Sequence, residues 1–352
     1  MLLSNESKKR YTAFWEGDAY ERCCMYLTVY AGGTGRPEPA NLAQQWEDAE
    51  FRARQALWDT EHRLYFADAF PHTFVNMGPG SLAAMIGGTY RWAERTVWFE
   101  NEPVITDWAN PPAPVLNRDS AMYRMEDALT QAMLAAGKDK FYTSIADFGG
   151  TYDILAALRG TQTLLMDLYD EPDAVKAYAK QVGAIWTAYF FQSAERVLRV
   201  QDGVTTWMPV WSDLPYYPLQ CDFSAMISPD MFEEFILPDL QLQSECIDRC
   251  IYHLDGPGEL PHLPHLLSIP RLSAIQWSPG DGREGAGSER WFGLYDEIQA
   301  AGKGLVIIGV SADELEPLLR HISTKGVFIA CGAKDETTAR EMVAIAEGYG
   351  VK

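Results

Sequence analysis

The chain has 352 residues, 47% hydrophobic and 22% charged, enough apolar material for one large core or two average ones. Its net charge of −20, from 29 basic and 49 acidic residues, repels nucleic acid and anionic membranes, and any polyanionic substrate would need a local basic pocket. The start, MLLSNESKKRYTAFWEG, is charged where a secretory leader is apolar, and the six cysteines are too scattered for a disulfide framework, so reduced thiols in a cytoplasm are expected.

In chain order, strand-like runs alternate with helical ones. Residues 23–30 (CCMYLTVY) predict a first strand. The AGGTGR that follows, residues 31–36, has neither GxGxxG spacing nor the acidic partner of a dinucleotide site. Residues 40–63 have helical spacing, and 72–77 (HTFVNM) read as a strand. Residues 77–114, rich in Gly, Pro and Trp, predict an excursion over a barrel mouth, with TYRWAERTVWFE, residues 89–100, as a hairpin. A strand at 141–146 is followed by helices at 153–168 and 173–200, the second capped at Asp173 after Pro172. Residues 204–210 (VTTWMPV) predict a strand, and 229–249 a helix entered from Ser228 and Pro229. Strands at 250–254, 272–277, 305–310 and 327–331 then alternate with helices at 290–301, 313–321 and 335–349, with Ser311 ahead of the second. Eight strands interleaved with helices predict a parallel α/β fold. A single-domain (β/α)8 TIM barrel over residues 1–352 is favoured over an open doubly wound sheet, which would want the missing fingerprint.

Three segments carry a family resemblance: residues 221–238 (CDFSAMISPDMFEEFILP), 251–256 (IYHLDG) and 141–160 (FYTSIADFGGTYDILAALRG). Together they resemble the uroporphyrinogen decarboxylase-like superfamily, which implies the barrel and a functional His near the end of the strand holding His253. True members that decarboxylate porphyrinogens carry an Arg-Gln-Ala-Gly-Arg motif for the substrate carboxylates. The matching region, residues 21–36, has none, which disfavours that reaction. The other branch comprises zinc-dependent methyltransferases that work with corrinoid proteins and hold zinc with His-x-Cys and a later Cys. Here His253 is followed by Asp255, and Cys331 comes 76 residues after that.

The resemblance therefore implies a metal site of His253, Asp255 and Cys331 binding Zn2+, with Asp in place of one Cys. Zinc accepts nitrogen, sulfur and carboxylate oxygen, and catalytic sites keep an open position. Asp keeps the ligand charge of a thiolate but hardens the set, favouring an oxygen-type substrate. The i, i+2 spacing suits one face of a strand. The implied activity moves a methyl group between a small O- or N-methylated compound and a corrinoid (cobalamin) on a partner protein. No Asp-x-His-x-x-Gly cobalamin motif occurs in the chain, so the corrinoid would be the partner's. Barrels of this kind commonly pair, which allows a homodimer.

Plainer readings stand beside these: His253 as a hydrogen-bonded pocket histidine, Asp255 as a cap on the turn at Gly256, and Cys331 as a buried thiol. Trp207, Trp211, Tyr152 and Trp277 are candidate substrate-binding aromatics, able to cage a methylammonium or stack on an aromatic ether. Asp147 and Asp222, with His253, are candidates for proton transfer. Two alternatives remain open. One is a metal-independent decarboxylase or lyase of a small acid, with Arg91 or Arg283 holding the carboxylate; the other is a catalytically silent barrel.

Overall fold

The apolar runs of the sequence pair side by side, which sets the architecture. The computed structural model describes residues 2–99 and 102–350. Its strands are β1 (Cys24–Tyr30), β2 (Arg63–Ala67), β3 (His72–Thr73), β4 (Arg91–Trp92), β5 (Val97–Trp98), β6 (Tyr142–Thr143), β7 (Tyr216–Leu219), β8 (Arg249–Asp255), β9 (Ala274–Ser278), β10 (Gly304–Val310) and β11 (Val327–Ala333). Seven form one sheet in the order β2-β1-β11-β10-β9-β8-β7, parallel except for β2, which runs antiparallel to β1. The central strands are buried on both faces, as parallel sheets covered by helices are. Between successive parallel strands lie helices such as Leu237–Cys246, Phe292–Ala300 and Ala312–His321, and Glu336–Gly348 follows β11.

Beyond β1 the chain continues around by short pairings rather than one long ladder: β3 runs parallel to β6, with His72 opposite Tyr142 and Thr73 opposite Thr143. Asp68 N–H donates to Met25 O (2.8 Å), Tyr142 N–H to Pro71 O (2.9 Å), Ser144 N–H to Thr73 O (3.0 Å) and Ile145 N–H to Thr205 O (3.0 Å). At the other edge the Tyr216 hydroxyl lies 3.1 Å from that of Thr206. Pro218 in β7 has no N–H to donate, which fits an edge strand. A continuous ladder closing the sheet is absent among the described residues.

Several expectations change. Residues 204–210 are not a strand: only a bridge from Val204 to Ser212 forms, and β7 arises in the stretch beyond it. Helix 40–63 divides into Leu42–Glu47 and Ala49–Glu61, its last turn giving way to β2. Helix 153–168 divides at Gly160 into Thr151–Arg159 and Thr161–Asp170. Pro172, rather than a cap at Asp173, opens Pro172–Leu198. Ser228 caps its helix by accepting from Met231 N–H, and Ser311 N–H donates to Glu314 in a capping box. The helices Asn5–Trp15 and Ala121–Gly137 are additional.

The hairpin of the excursion forms as β4 and β5, although position 100, its last residue, lies outside the described residues. Trp46 stacks on Trp92 with centroids 5.4 Å apart, and its indole N–H donates to Ala93 O (2.8 Å). Val97 lies over Gly78, where a Cβ would sit 2.5 Å from the valine Cβ. No described helix is long and apolar enough to cross a membrane.

Candidate metal and substrate site

Parallel strands bring their C-terminal ends to one edge of the sheet, and chemistry collects there because the exiting loops can vary. Leu219 of β7 pairs with Tyr252 of β8. Asp222 and Asp255, each three residues further on, therefore leave the sheet level with each other. One ligand atom from each of Asp222, His253 and Asp255 lies within 4.8 Å of the others. Asp222 is exposed, and His253 and Asp255 are half-buried.

His253 is held by its neighbour on β9, in register with it. The Gln276 amide nitrogen donates to Trp277 O (2.9 Å), leaving Oε1 as the acceptor against Nδ1 of His253. Nδ1 therefore carries the proton, and Nε2 keeps a lone pair for a metal. The Trp207 ring stands edge-on to the imidazole, centroids 4.9 Å apart.

Over this cluster opens a cavity of about 430 Å³ lined by Phe74, Asn76, Gly78, Pro79, Arg95, Thr96, Asp147, Trp207, Gln220, Asp222 and His253. Its volume suits a small molecule. Two other hollows, one lined by Arg52, Asp59 and His72 and one by Lys138, Tyr142 and Asp202, do not touch the cluster.

The acids here differ in environment. Burial pushes the Asp147 carboxyl up to about 6, with the Gly149 N–H opposing and Asp222 adding to the shift. Asp147 Oδ1 accepts from Gly149 N–H (2.9 Å) and the Tyr217 hydroxyl (3.3 Å). Although Asp222 reaches solvent, partial desolvation of its carboxyl raises its pKa too; His253 opposes this and Asp255 reinforces it. Behind the cluster, Asp153 accepts from Phe223 N–H (2.8 Å) and Gly150 N–H (3.2 Å). Burial raises Asp153, with Asp222 reinforcing. Burial also holds Glu259 well above the usual carboxylate range.

Cys331 is not brought to this cluster. Register carries one face across the sheet: His253 pairs with Gln276, Gln276 with Val306, and Val306 with Phe328. Phe328 thus shares the face of His253, and Cys331, three residues on, takes the opposite one. It is buried, and desolvation raises its thiol pKa, with Cys23 and Glu314 adding to the shift. The third candidate ligand in its stead is Asp222.

The expected aromatics separate in the same way. Trp207 lines the cavity. Trp277 alternates away from Gln276 and packs on Trp291, centroids 5.0 Å apart. Trp211 lies against Tyr11 of the N-terminal helix, and its carbonyl accepts from the Trp15 indole N–H (3.0 Å). Tyr152 is buried beside a different hollow, with Lys176, Phe235 and Asp239. Neither Arg91 nor Arg283 lines the cavity, whereas Arg95, at the tip of the hairpin, does. Gln276, Gln220, Arg95 and Thr96 escaped the sequence reading. A lone glutamine inside the apolar run LSAIQW was the one available signal.

No family model and no curated protein matches the chain. Among solved structures it resembles a methyltransferase from Methanosarcina mazei, with a TM-score of 0.60 over 97% of this chain and 98% of that one, at 14% identity. Likeness at that identity is one of fold.

Proposed function

We propose that this chain is a metal-dependent methyltransferase that moves a methyl group between a small methylated compound and a corrinoid on a partner protein. The observation that carries this reading is the convergence of Asp222, His253 and Asp255 under a cavity walled by Trp207. The fold likeness to a methyltransferase supports it, as does the superfamily resemblance. We read the short β3–β6 pairing and the bonds flanking it as completing an eight-stranded barrel around the site.

The donor set fits zinc. Two carboxylates and a neutral imidazole balance a divalent charge, and Gln276 fixes the imidazole tautomer as partners of metal-bound histidines do. Bound zinc would supply Lewis acidity toward the leaving heteroatom. The chain's own side chains do the rest. Trp207, in the cavity lining beside His253, packs against the methylated centre. Asp147, held near neutrality in the cavity wall, supplies a proton to the leaving oxygen or nitrogen. The hairpin tip contributes Arg95 and Thr96 to the cavity lining.

The test is methyl transfer from candidate donors to reduced cobalamin, followed by its absorbance, before and after chelation. Formation of methylcobalamin that disappears on chelation and returns with zinc supports the reading. Carbon dioxide release from a small acid by chelated protein would replace it with the metal-independent lyase.

A further inference from the structure

The cavity lining combines two chemically opposite groups of side chains. One is Asp147, Asp222 and His253, with Trp207 beside the histidine. The other is Asn76, Arg95 and Thr96, whose side chains offer donors. Resting on the methyltransferase reading, the geometry points to a methyl donor that is itself a small acid: its carboxylate lies on Arg95, and its methylated oxygen or nitrogen faces the acidic group.

The donor group is held by its surroundings. Arg95 sits at a turn closed by Ala93 N–H donating to Thr96 O (2.9 Å). The residues just before it are tied down, Ala93 O accepting from Trp46 (2.8 Å) and Glu94 O from the Gln45 amide (2.7 Å). Below, Arg52 donates to Asn76 O (2.6 Å), and Gly78 N–H donates to Asn76 Oδ1 (2.9 Å). That arrangement orients Asn76 with its amide N–H groups unspent. The Arg95 guanidinium has no hydrogen bond or ion pair among the described residues, although the backbone around it is fixed. An anchored turn that presents an unengaged guanidinium and a hydroxyl beside an oriented amide is a carboxylate-binding surface.

Electrostatics make the same demand. The chain carries −20, and Asp147 and Asp222 line the cavity, so a carboxylate entering it is repelled unless a cation receives it. Apart from His253, Arg95 is the basic side chain lining the cavity. A cavity of about 430 Å³ leaves room for one small molecule that reaches both groups.

The test measures binding to the zinc-loaded chain by calorimetry with two matched pairs of probes. N,N-dimethylglycine is set against N,N-dimethylethanolamine, and 3-methoxybenzoate against 3-methoxybenzyl alcohol, so each pair differs by its carboxylate and the two pairs separate nitrogen from oxygen donors. In the unaltered chain the acid of at least one pair binds about tenfold to a hundredfold more tightly than its alcohol. Arg95→Gln abolishes that preference, Arg95→Lys keeps part of it, and neither changes metal content. A preference that survives Arg95→Gln, equal binding within both pairs, or no measurable binding of either acid overturns the inference. The two readings fail separately. A metal-free chain inactive in methyl transfer that still shows an Arg95-dependent acid preference loses the methyltransferase reading and keeps the anion subsite. Active, chelator-sensitive transfer with no effect of Arg95→Gln does the reverse.

Discussion

At the scale of single residues, the account depends on protonation states set by packing. Asp147 titrates near 6 in the folded chain, above the roughly 3.9 of an unfolded aspartate. The folded state therefore binds this proton more tightly. The stability it contributes is complete below about pH 4 and lost as pH rises through 6. Asp147→Asn should raise unfolding free energy by about 2–3 kcal/mol at neutral pH and by little at pH 4, read from urea titrations at both. The same substitution should lower kcat by about 10²–10⁴-fold and remove a decline in rate as pH rises past 6. Gln276→Leu leaves a strand residue of similar bulk but frees the His253 tautomer. Metal affinity, measured by chelator competition, should fall by about 10–100-fold with little change in melting temperature.

At the scale of elements, close approaches between strand exits set the site. A Cβ at Gly150 would meet Gln220 O at 2.0 Å, so Gly150→Ala must displace the exit of β7 that carries Asp222. The expected result is a loss of about 1–3 kcal/mol together with weakened metal binding. Gly293, with nothing near its Cβ position, should accept alanine without either effect. Legibility in the sequence followed the same logic. Long apolar runs such as those of β1, β10 and β11 could be read directly, because both faces are buried. Residues 204–210 misled because their apolar character serves the core and the cavity wall while Pro209 interrupts pairing. His253 and Asp255 were legible as an i, i+2 pair on one strand. Asp222 as their companion was not, because it depends on the register of β7 against β8. Cys331 had a suggestive spacing, yet its face is fixed by pairings running through three other strands.

At the scale of the whole molecule, a charge of −20 makes any partner-dependent activity sensitive to salt. If a corrinoid protein docks at this acidic face through a basic rim, raising ionic strength from about 0.05 to 0.5 M should slow transfer about tenfold while free cobalamin is little affected. All else depends on whether the three groups that β7 and β8 bring level hold a metal. Elemental analysis of protein purified without chelator tests this most directly. The account predicts near-stoichiometric zinc in the unaltered chain and in Cys331→Ser, and its loss in Asp222→Asn, His253→Ala and Asp255→Asn. Zinc absent from the unaltered chain, or lost in Cys331→Ser and retained in Asp222→Asn, would contradict it.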